Sequence, residues 1–355
     1  MAETLTKLAY QAFQNGKSAF SLGHRTLATQ LRQLLRPELT FDLKSVDSDF
    51  LAEVTRRREA LLQVDWEEAA AGIYPEALLF DNPWDDFFKY YPAVVWELPQ
   101  LWERILNQET QVFDSAINTQ GFPRYYLQNF HHQTDGYLSE ASANLYDLQV
   151  ELLFSGAADA MRRRVLAPIK QLLSRQSSLG DRPHPYPRIL DVACGTGRML
   201  QLLQGSFPAV SLYGLDLSPA YLRKANQRLS QVNGTLPQLA QGQAEAMPYR
   251  DAYFDALTCV FLFHELPGPV RQQVIDDCFR VMRPGGTLVI CDSIQAVDTP
   301  ELEPMMANFP ILFHEPYYRD YIQDELTPRL ETAGFTGVTT QIHFVSKYWV
   351  AHKQS

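Results

Sequence analysis

One short stretch, residues 188–203, limits what this chain can fold into more than any other. Its apolar residues at 189, 190 and 192 predict a short buried strand of a parallel sheet. A tight turn over 194–197 follows, and residues 198–203 then have helical spacing. A strand that turns on glycines into a helix brings free backbone N–H groups close to a ligand. The stretch therefore predicts a ligand-binding loop in an α/β domain.

The charge of this stretch indicates what it binds. A dinucleotide-binding loop would carry a third glycine, but the chain continues beyond Gly197 without one. Asp191 sits just before the turn, where a carboxylate would repel a pyrophosphate and attract a cation. S-adenosylmethionine carries both an ammonium and a sulfonium group. The residues therefore favour a methyl donor over a nicotinamide dinucleotide.

Length and charge bound the function classes. A chain of 355 residues predicts two domains, or one domain with a large extension. The net charge of −10 argues against a dominant nucleic-acid-binding role, because neutralising phosphates needs a basic face. The run 162–164, three arginines, is the best candidate for a basic strip, and a solvated helix face is the favoured interpretation.

Cysteine usage and hydropathy indicate the compartment. The four cysteines form no C-x-x-C pair, so neither a zinc site nor a disulfide framework is expected, and a reducing cytoplasm fits best. The N-terminus lacks the pattern of a secretion signal, and no window approaches 18 uninterrupted apolar residues. We therefore expect neither export nor contact with the membrane interior. The pattern leaves the oligomeric state open.

The beginning of the sequence has helical spacing. Residues 1–36 predict one or two amphipathic helices that end at Pro37, with breaks at Gly16 and Gly23. A second pattern predicts another helix over 46–62. We expect the apolar stripes to contact the core or a partner helix; a role at a membrane surface is the alternative. The first stripe consists of Leu5, Leu8, Ala12, Phe13, Phe20, Leu27, Leu31 and Leu34.

Two aromatic-rich segments follow. Residues 75–104 also hold several prolines, which predicts irregular segments that wall a pocket or fill a small helical core. Over 121–137, polar groups that include His131 and His132 are crowded between aromatic residues, as in a lid over a substrate or cofactor. No metal site is expected there, because adjacent histidines cannot share a helix face and no third ligand is suitably spaced.

The rest of the sequence has the alternation of an α/β domain. Residues 145–169 predict a long helix that Gly156 weakens and Pro168 kinks or divides, and 174–187 have the composition of a linker. Strands and helices then alternate, which implies a parallel sheet covered on both faces. The last stretch, 337–352, predicts an antiparallel hairpin at the sheet edge. The strands are expected at 188–193, 210–215, 238–241, 255–261 and 287–292.

Four motifs now line up in order: Leu190–Gly197, Gly214–Ser218, Gly242–Asp255 and Val281–Gly286. Together they resemble the class I S-adenosylmethionine-dependent methyltransferases, especially the branch that includes the quinone-biosynthesis C-methyltransferases. The resemblance covers the C-terminal two-thirds, 141–355.

The resemblance implies an α/β, Rossmann-like sheet of seven strands, six parallel and one antiparallel, beside a mainly helical N-terminal domain. The cofactor, S-adenosylmethionine, would lie at the carboxyl ends of the first, second and fourth strands. We expect a helical, aromatic-rich domain at 1–140, for a substrate lid or an interaction, and the methyltransferase domain at 141–355 with an insertion at 295–328.

The resemblance also implies cofactor contacts, and elementary chemistry supports several of them. Asp216 ends a strand where its carboxylate can accept both ribose hydroxyls. Adenine would lie beside Leu217, Gln243 and Ala244, and Phe261 would lie next to the transferring methyl. The full set of expected cofactor residues is Asp191, Ala193, Cys194, Gly195, Gly197, Asp216, Leu217, Gln243, Ala244, Phe261 and Tyr146.

The acceptor is expected to be a small, apolar or aromatic molecule that is methylated by in-line displacement. If the acceptor must lose a proton, His264 is the first candidate base and His132 the second; for each, a packed pocket or surface residue is the alternative. The expected substrate residues are Tyr137, His314, Tyr317 and Tyr318. Two rival interpretations remain, a non-catalytic S-adenosylmethionine-binding regulator or assembly protein, and a nicotinamide oxidoreductase.

Overall fold

Helices form most of the first half of the chain. The computed structural model describes residues 2–177 and 186–354. The linker expected at 174–187 therefore lies largely outside the described residues. The helices of this half are α1 (Ala2–Leu35), α2 (Ser48–Ala70), α3 (Trp84–Asn107), α4 (Glu140–Leu153), α5 (Ala158–Arg163) and α6 (Leu166–Ser177), with short 3₁₀ turns at Glu76–Leu79 and Phe130–His132.

Helix α1 runs unbroken through Gly16 and Gly23, so the predicted breaks are wrong. A glycine in a helix costs only about 1 kcal/mol relative to alanine, which a long helix tolerates. The fully buried positions of α1 include Tyr10 and Gln14, whereas much of the predicted apolar stripe is exposed. The exposed members are Leu5, Leu8, Ala12, Phe20, Leu27 and Leu34.

The segment 75–104 is mostly helical, and the prediction of irregular structure there is wrong. Helix α3 contains two internal prolines. Each removes one backbone hydrogen bond, at about 3 kcal/mol. Phe87, Val94 and Trp102 are buried along α3, so the packing of one apolar face offsets that loss.

The long helical pattern of 145–169 is divided, but not by Pro168. The first break lies at Gly156, whose φ is 78° and whose added Cβ would lie 2.4 Å from Lys17 Cβ. Because only glycine adopts this conformation without strain, the chain turns between α4 and α5. Pro168 lies in the first turn of α6, where a missing N–H costs no hydrogen bond.

The second half forms a single seven-stranded sheet in the order β3-β2-β1-β4-β5-β7-β6. Only β7 is antiparallel, since it pairs in that sense with both β5 and β6. The predicted fold class, with six parallel strands and one antiparallel strand, is confirmed. The strands are β1 (Arg188–Val192), β2 (Ser211–Asp216), β3 (Gln238–Gln241), β4 (Phe254–Val260), β5 (Met282–Ser293), β6 (Thr336–His343) and β7 (Ser346–His352).

Helices cover both faces of this sheet, as the buried apolar runs of its strands require. The later helices are α7 (Arg198–Ser206), α8 (Pro219–Leu229), α9 (Gly268–Val281), α10 (Glu303–Leu312), α11 (Tyr318–Tyr321) and α12 (Leu326–Ala333), with 3₁₀ turns at Phe263–Glu265 and Pro300–Leu302. The expected insertion at 295–328 thus contains α10 and α11.

The N-terminal helices share a core with the sheet. Trp66 and Leu79 belong to the same buried cluster as Ile189 and Val289. The division of the chain near residue 140 stays a prediction. Among the described residues, no helix combines the length and apolar character needed to cross a bilayer.

The arginine run 162–164 does not form the solvated helix face that the sequence favoured. Arg162 and Arg163 are only 5% and 1% exposed. Arg162 donates to Asp159 Oδ1 at 3.0 Å, and Arg163 donates to both oxygens of Asp65 at 2.8 and 2.6 Å. Buried arginines need such partners because an unpaired charge is costly to desolvate.

Candidate active site

A cavity opens at the carboxyl ends of β1, β2 and β4, where parallel α/β sheets bind ligands. Strand ends form its floor, and aromatic residues from 125–146, together with Tyr221 of α8, form its roof. The lining residues are Tyr125, Tyr126, Phe130, Tyr137, Tyr146, Ala193, Gly195, Leu215, Asp216, Leu217, Tyr221, Gly242, Ala244, Glu245, Val260, Phe261, Leu262, Glu265 and Leu266.

The glycine turn fixes the floor of this cavity. Gly195 and Gly197 have φ values of 53° and 78°, and an added Cβ on Gly197 would lie 3.0 Å from Ala225 Cβ. Two N–H groups aim Asp216 into the cavity: those of Gly195 and Ser218 donate to its two carboxylate oxygens, each at 2.8 Å. Burial still raises the pKa of Asp216 to about 6, although these donors act in the opposite direction.

Asp191 lies behind the floor rather than on the cavity wall. It is 2% exposed, and the Thr258 hydroxyl donates to its Oδ1 at 2.7 Å. Burial raises the pKa of this carboxyl to about 7, and the charge of Asp216 adds to the shift. Two neighbouring carboxyls with raised pKa values create a site that gains from a bound cation.

The wall beside the end of β3 combines apolar contacts with one carboxylate. Leu217 and Ala244 line the cavity here, together with Glu245. The Tyr125 hydroxyl donates to Glu245 Oε1 at 2.5 Å. Gln243 is not among the lining residues.

The roof is a set of tyrosine and phenylalanine rings held by hydrogen bonds to the floor. The rings of Phe130 and Tyr137 are stacked with centroids 5.4 Å apart, and Tyr146 and Tyr221 meet edge to face at 5.5 Å. The Ser218 hydroxyl donates to the backbone oxygen of Tyr137 at 2.6 Å. This contact ties the roof to the residues that follow β2.

Phe261 directly follows β4 and has a left-handed conformation, with φ of 59°. Its ring stacks on Phe154 with centroids 5.6 Å apart, and the Arg162 guanidinium lies 5.6 Å from the ring centroid. A non-glycine residue at positive φ is strained, and such residues are frequent at functional sites. The backbone therefore turns sharply where β4 meets the cavity.

His264 follows as a buried imidazole paired with a carboxylate. Its Nδ1 lies 2.6 Å from Asp292 Oδ1, and its Nε2 lies 3.9 Å from Glu265 Oε1. Asp292 is fixed in turn by the N–H groups of Phe263 and Ser293, each at 2.7 Å. Burial lowers the pKa of His264, but the charges of Asp292 and Glu265 outweigh burial and raise it to about 9.

The two adjacent histidines of the lid segment point to different neighbours. His131 Nε2 lies 3.1 Å from Glu315 Oε1 and 3.8 Å from Glu265 Oε1. The ring of His132 lies instead 5.8 Å from that of His314, and its pKa is lowered to about 4 by burial and by nearby positive charges. His131, which the sequence did not single out as a base, thus faces the acidic groups beside the cavity.

The remaining expected substrate residues lie outside the cavity wall. His314 Nε2 lies 2.9 Å from Gln128 Oε1. Tyr318 is buried with its hydroxyl 3.0 Å from Ser293 Oγ, and Tyr317 packs against the cluster that contains Phe130. Of the expected substrate residues, Tyr137 is the one that lines the cavity.

Comparisons with known proteins decide the family of the C-terminal part. Residues 189–286 match the family described as "Methyltransferase domain". The C-terminal part of the chain carries a methyltransferase domain. This finding confirms the predicted family and, with it, S-adenosylmethionine as the cofactor.

The relatives are similar over part of their length. A demethylmenaquinone methyltransferase of Deinococcus radiodurans is 35% identical over 139 residues, which cover 36% of this chain and 56% of that protein. A demethylmenaquinone methyltransferase of Thermus thermophilus is 31% identical, with 41% of this chain and 60% of that protein covered. The chain thus spans little more than half of each of these two relatives.

A solved structure of an S-adenosylmethionine-dependent methyltransferase from Aquifex aeolicus is 20% identical to this chain. The similarity covers 54% of this chain and 91% of that one, with a TM-score of 0.38.

The cavity of this methyltransferase domain fits its cofactor. Two buried atoms on its wall, the Tyr126 hydroxyl oxygen and Glu245 Oε2, have no hydrogen-bond partner among the described residues. Buried polar atoms without partners are costly, and a ligand with hydroxyl and amino groups would satisfy them. Asp216 on the wall, and Asp191 behind it, would supply the negative charge that a sulfonium compound needs.

More residues of the floor than of the roof could be predicted from the sequence. Of the expected cofactor residues, those on the cavity wall are Ala193, Gly195, Asp216, Leu217, Ala244, Phe261 and Tyr146. The other four expected residues lie behind or beside the wall, and their roles in cofactor binding stay predictions: Asp191, Cys194, Gly197 and Gln243. The sequence did not single out five other residues of the wall, although the aromatic crowding of 121–137 was a signal for two of them: Tyr126, Phe130, Tyr221, Glu245 and Glu265.

Proposed function

We propose that the chain transfers the methyl group of S-adenosylmethionine to a small, largely apolar or aromatic acceptor. The aromatic roof over the carboxyl ends of β1, β2 and β4 is the observation that carries this proposal. A roof of packed rings excludes water and leaves a cavity suited to a small molecule. An intact protein or nucleic acid would need an open surface at this point.

The residues of the floor would hold the cofactor. Asp216, fixed by two N–H groups, would accept the ribose hydroxyls, while Leu217 and Ala244 would contact the adenine. Phe261 and Tyr146 would enclose the methionine end. When bound, the sulfonium supplies an already activated methyl group. The chain's main contribution is alignment, which is worth about 7–11 kcal/mol for well-oriented reactants.

The acceptor end lies beyond Phe261, where Leu262, Leu266 and Glu265 line the cavity. Two leucines and one carboxylate suit an apolar ring that carries a hydroxyl group. Two relatives that match over part of their length are named demethylmenaquinone methyltransferases, and this supports an aromatic acceptor. His264, oriented by Asp292, is our proposed group for moving the acceptor's proton; because its pKa is raised to about 9, only its unprotonated fraction can accept that proton, so kcat should rise with pH toward 9.

An acceptor panel tests this function. With radiolabelled S-adenosylmethionine, we expect transfer to small aromatic acceptors such as naphthols and naphthohydroquinones, and none to tRNA or a basic peptide. His264→Gln should lower kcat by roughly 10²–10⁴-fold, the typical contribution of a positioned proton-transfer group. His343→Gln, in β6, is the matched control and should leave kcat unchanged.

Asp216→Ala is the variant that tests cofactor binding alongside the acceptor panel. It should weaken S-adenosylhomocysteine binding at least tenfold, about 1.4 kcal/mol, because both ribose hydroxyls lose their acceptor. Transfer to tRNA or a peptide with none to small aromatics would overturn the acceptor class. Tight cofactor binding without transfer to any acceptor would favour the non-catalytic binding protein instead.

A further inference from the structure

Three ligand-type side chains meet beside the acceptor end of the cavity, each from a different part of the chain. His131 comes from the roof segment, Glu265 from the turn after β4, and Glu315 from the loop between α10 and α11. One side-chain atom from each lies within 4.8 Å of the other two. Glu265 also lines the cavity, so the cluster and the cavity share a wall.

Glu315 is the unusual member of this cluster. Its side chain is fully buried, at 0% exposure, and neither carboxylate oxygen accepts a hydrogen bond from any described residue. Carboxylates are almost never buried without partners, because losing their hydration costs several kcal/mol. Glu315 Oε1 is aimed at the cluster, 3.1 Å from His131 Nε2. A buried carboxylate in this state needs positive charge nearby, which a protonated His131 or a bound metal ion would supply.

The distances suit a metal ion as well as they suit direct pairing. Zinc lies about 2.1 Å from nitrogen and oxygen ligands, so two ligand atoms of a tetrahedral site are about 3.4 Å apart. His131 Nε2 lies 3.1 Å from Glu315 Oε1 and 3.8 Å from Glu265 Oε1, on either side of that value. Small side-chain rotations would therefore bring these atoms into a coordination shell.

The surroundings also favour a bound cation. The rings of Phe309 and Phe313 lie 6.3 and 5.8 Å from that of His131, so aromatic groups shield the cluster from water. The Tyr137 hydroxyl donates to Glu265 and holds its carboxylate in place. Hydrogen bonds of this kind orient metal ligands in known sites.

We propose that His131, Glu265 and Glu315 bind one divalent first-row cation, such as Zn²⁺ or Mn²⁺. One imidazole and two carboxylates form a mixed nitrogen and oxygen donor set that suits these ions. Three protein ligands leave one position open, as in catalytic zinc sites. We infer that an oxygen of the methyl acceptor takes this open position, and this inference rests on the proposed function. The binding of the ion itself does not depend on that function.

Metal binding to the full chain tests the proposal without cofactor or acceptor. After treatment with a chelator and its removal, the protein is titrated with Mn²⁺, followed by electron paramagnetic resonance, and with Zn²⁺, followed by equilibrium dialysis. We expect one ion per chain and a higher Tm in its presence. Glu315→Gln and His131→Gln should each weaken binding by about a hundredfold, since even outer-shell changes cost roughly 10–100-fold.

Glu140→Gln is the matched control, because the Glu140 side chain is 65% exposed and pairs with Arg223, outside the cluster. It should bind the ion as the unchanged protein does. If the unchanged protein binds neither ion at millimolar concentration, or if both cluster variants bind as tightly as it does, the proposal is wrong. If Glu315→Gln does not fold, His131→Gln alone decides, through its affinity and its metal-dependent Tm. A failure of methyl transfer would affect neither readout.

Discussion

At the scale of single residues, burial and charge oppose each other in the floor of the cavity. Asp191 and Asp216 have pKa values raised to about 7 and about 6, chiefly because burial disfavours the charged carboxylate. A bound sulfonium would offset that cost and favour the ionised form. Protons and the cofactor therefore compete for the same charge.

This competition predicts how cofactor binding depends on pH. Below pH 7 the Asp191 carboxyl becomes protonated, so the affinity for S-adenosylmethionine should fall by up to about tenfold per pH unit. S-adenosylhomocysteine, which has no sulfonium charge, should lose less. Calorimetric titration of both ligands between pH 5.5 and 8 measures how the two affinities differ in their pH dependence. Asp191→Asn should bind S-adenosylmethionine more weakly, and its affinity should no longer fall near pH 7. An affinity that does not change with pH would contradict this electrostatic role.

The same residues show what a sequence can predict at this scale. Asp216 and Phe261 could be placed because motif spacing fixes where parallel strands end, and strand ends share one edge of the sheet. Glu265 and Glu315 could not be brought to His131, since nothing local in the chain records contacts between three distant segments. The local pattern around His131 and His132 carries no information on ligands from distant segments.

At the scale of elements, local propensity gave the sheet correctly and the N-terminal helices less well. Buried parallel strands are continuous apolar runs bounded by turns, so β1, β2 and β4 were predicted nearly residue for residue. The prolines of α3 suggested irregular structure, but packing of its aromatic face overrides their local cost. Tertiary contacts of this kind have no local signal.

The roof segment depends on one glycine, and a substitution there tests the roof. Gly136 has a φ of 53°, and an added Cβ would lie 2.2 Å from the backbone oxygen of Gln128. Because a backbone atom cannot move aside cheaply, Gly136→Ala should displace the roof. We expect S-adenosylhomocysteine affinity to fall at least fivefold, about 1 kcal/mol, as measured by calorimetry.

Gly121 provides the control for this change. It also has positive φ, at 90°, but an added Cβ would meet nothing within 4 Å. Gly121→Ala also carries the strain of positive φ, about 1–2 kcal/mol, without the collision. Equal losses of affinity in both variants would mean that strain alone, and not the close approach to Gln128, governs the roof.

At the scale of the whole molecule, a buried polar network joins the N-terminal helices α1 and α2 to α5. Asp65 on α2 accepts hydrogen bonds from the hydroxyls of Tyr10 and Tyr74, at 2.5 and 2.6 Å. Arg163 on α5 donates to both oxygens of the same carboxylate. Neither charged side chain is more than 1% exposed. The network therefore crosses the boundary expected near residue 140.

Removing the carboxylate from this network would leave the Arg163 guanidinium buried and unpaired. Breaking one side of a buried ion pair costs about 3–5 kcal/mol, so Asp65→Ala should lower the free energy of unfolding by that amount. Because Trp66 and Leu79 share a core with β1 and β5, we expect the loss to appear in one cooperative transition and to lower the Tm of cofactor-bound protein as well. Thermal unfolding by circular dichroism and calorimetry, with and without S-adenosylhomocysteine, measures both effects.

The exposed pair Arg36–Glu103 is the control, since Glu103→Ala breaks a surface contact that contributes little. Two separate transitions, of which only the first shifts, would instead mean that residues 1–140 fold as a unit of their own.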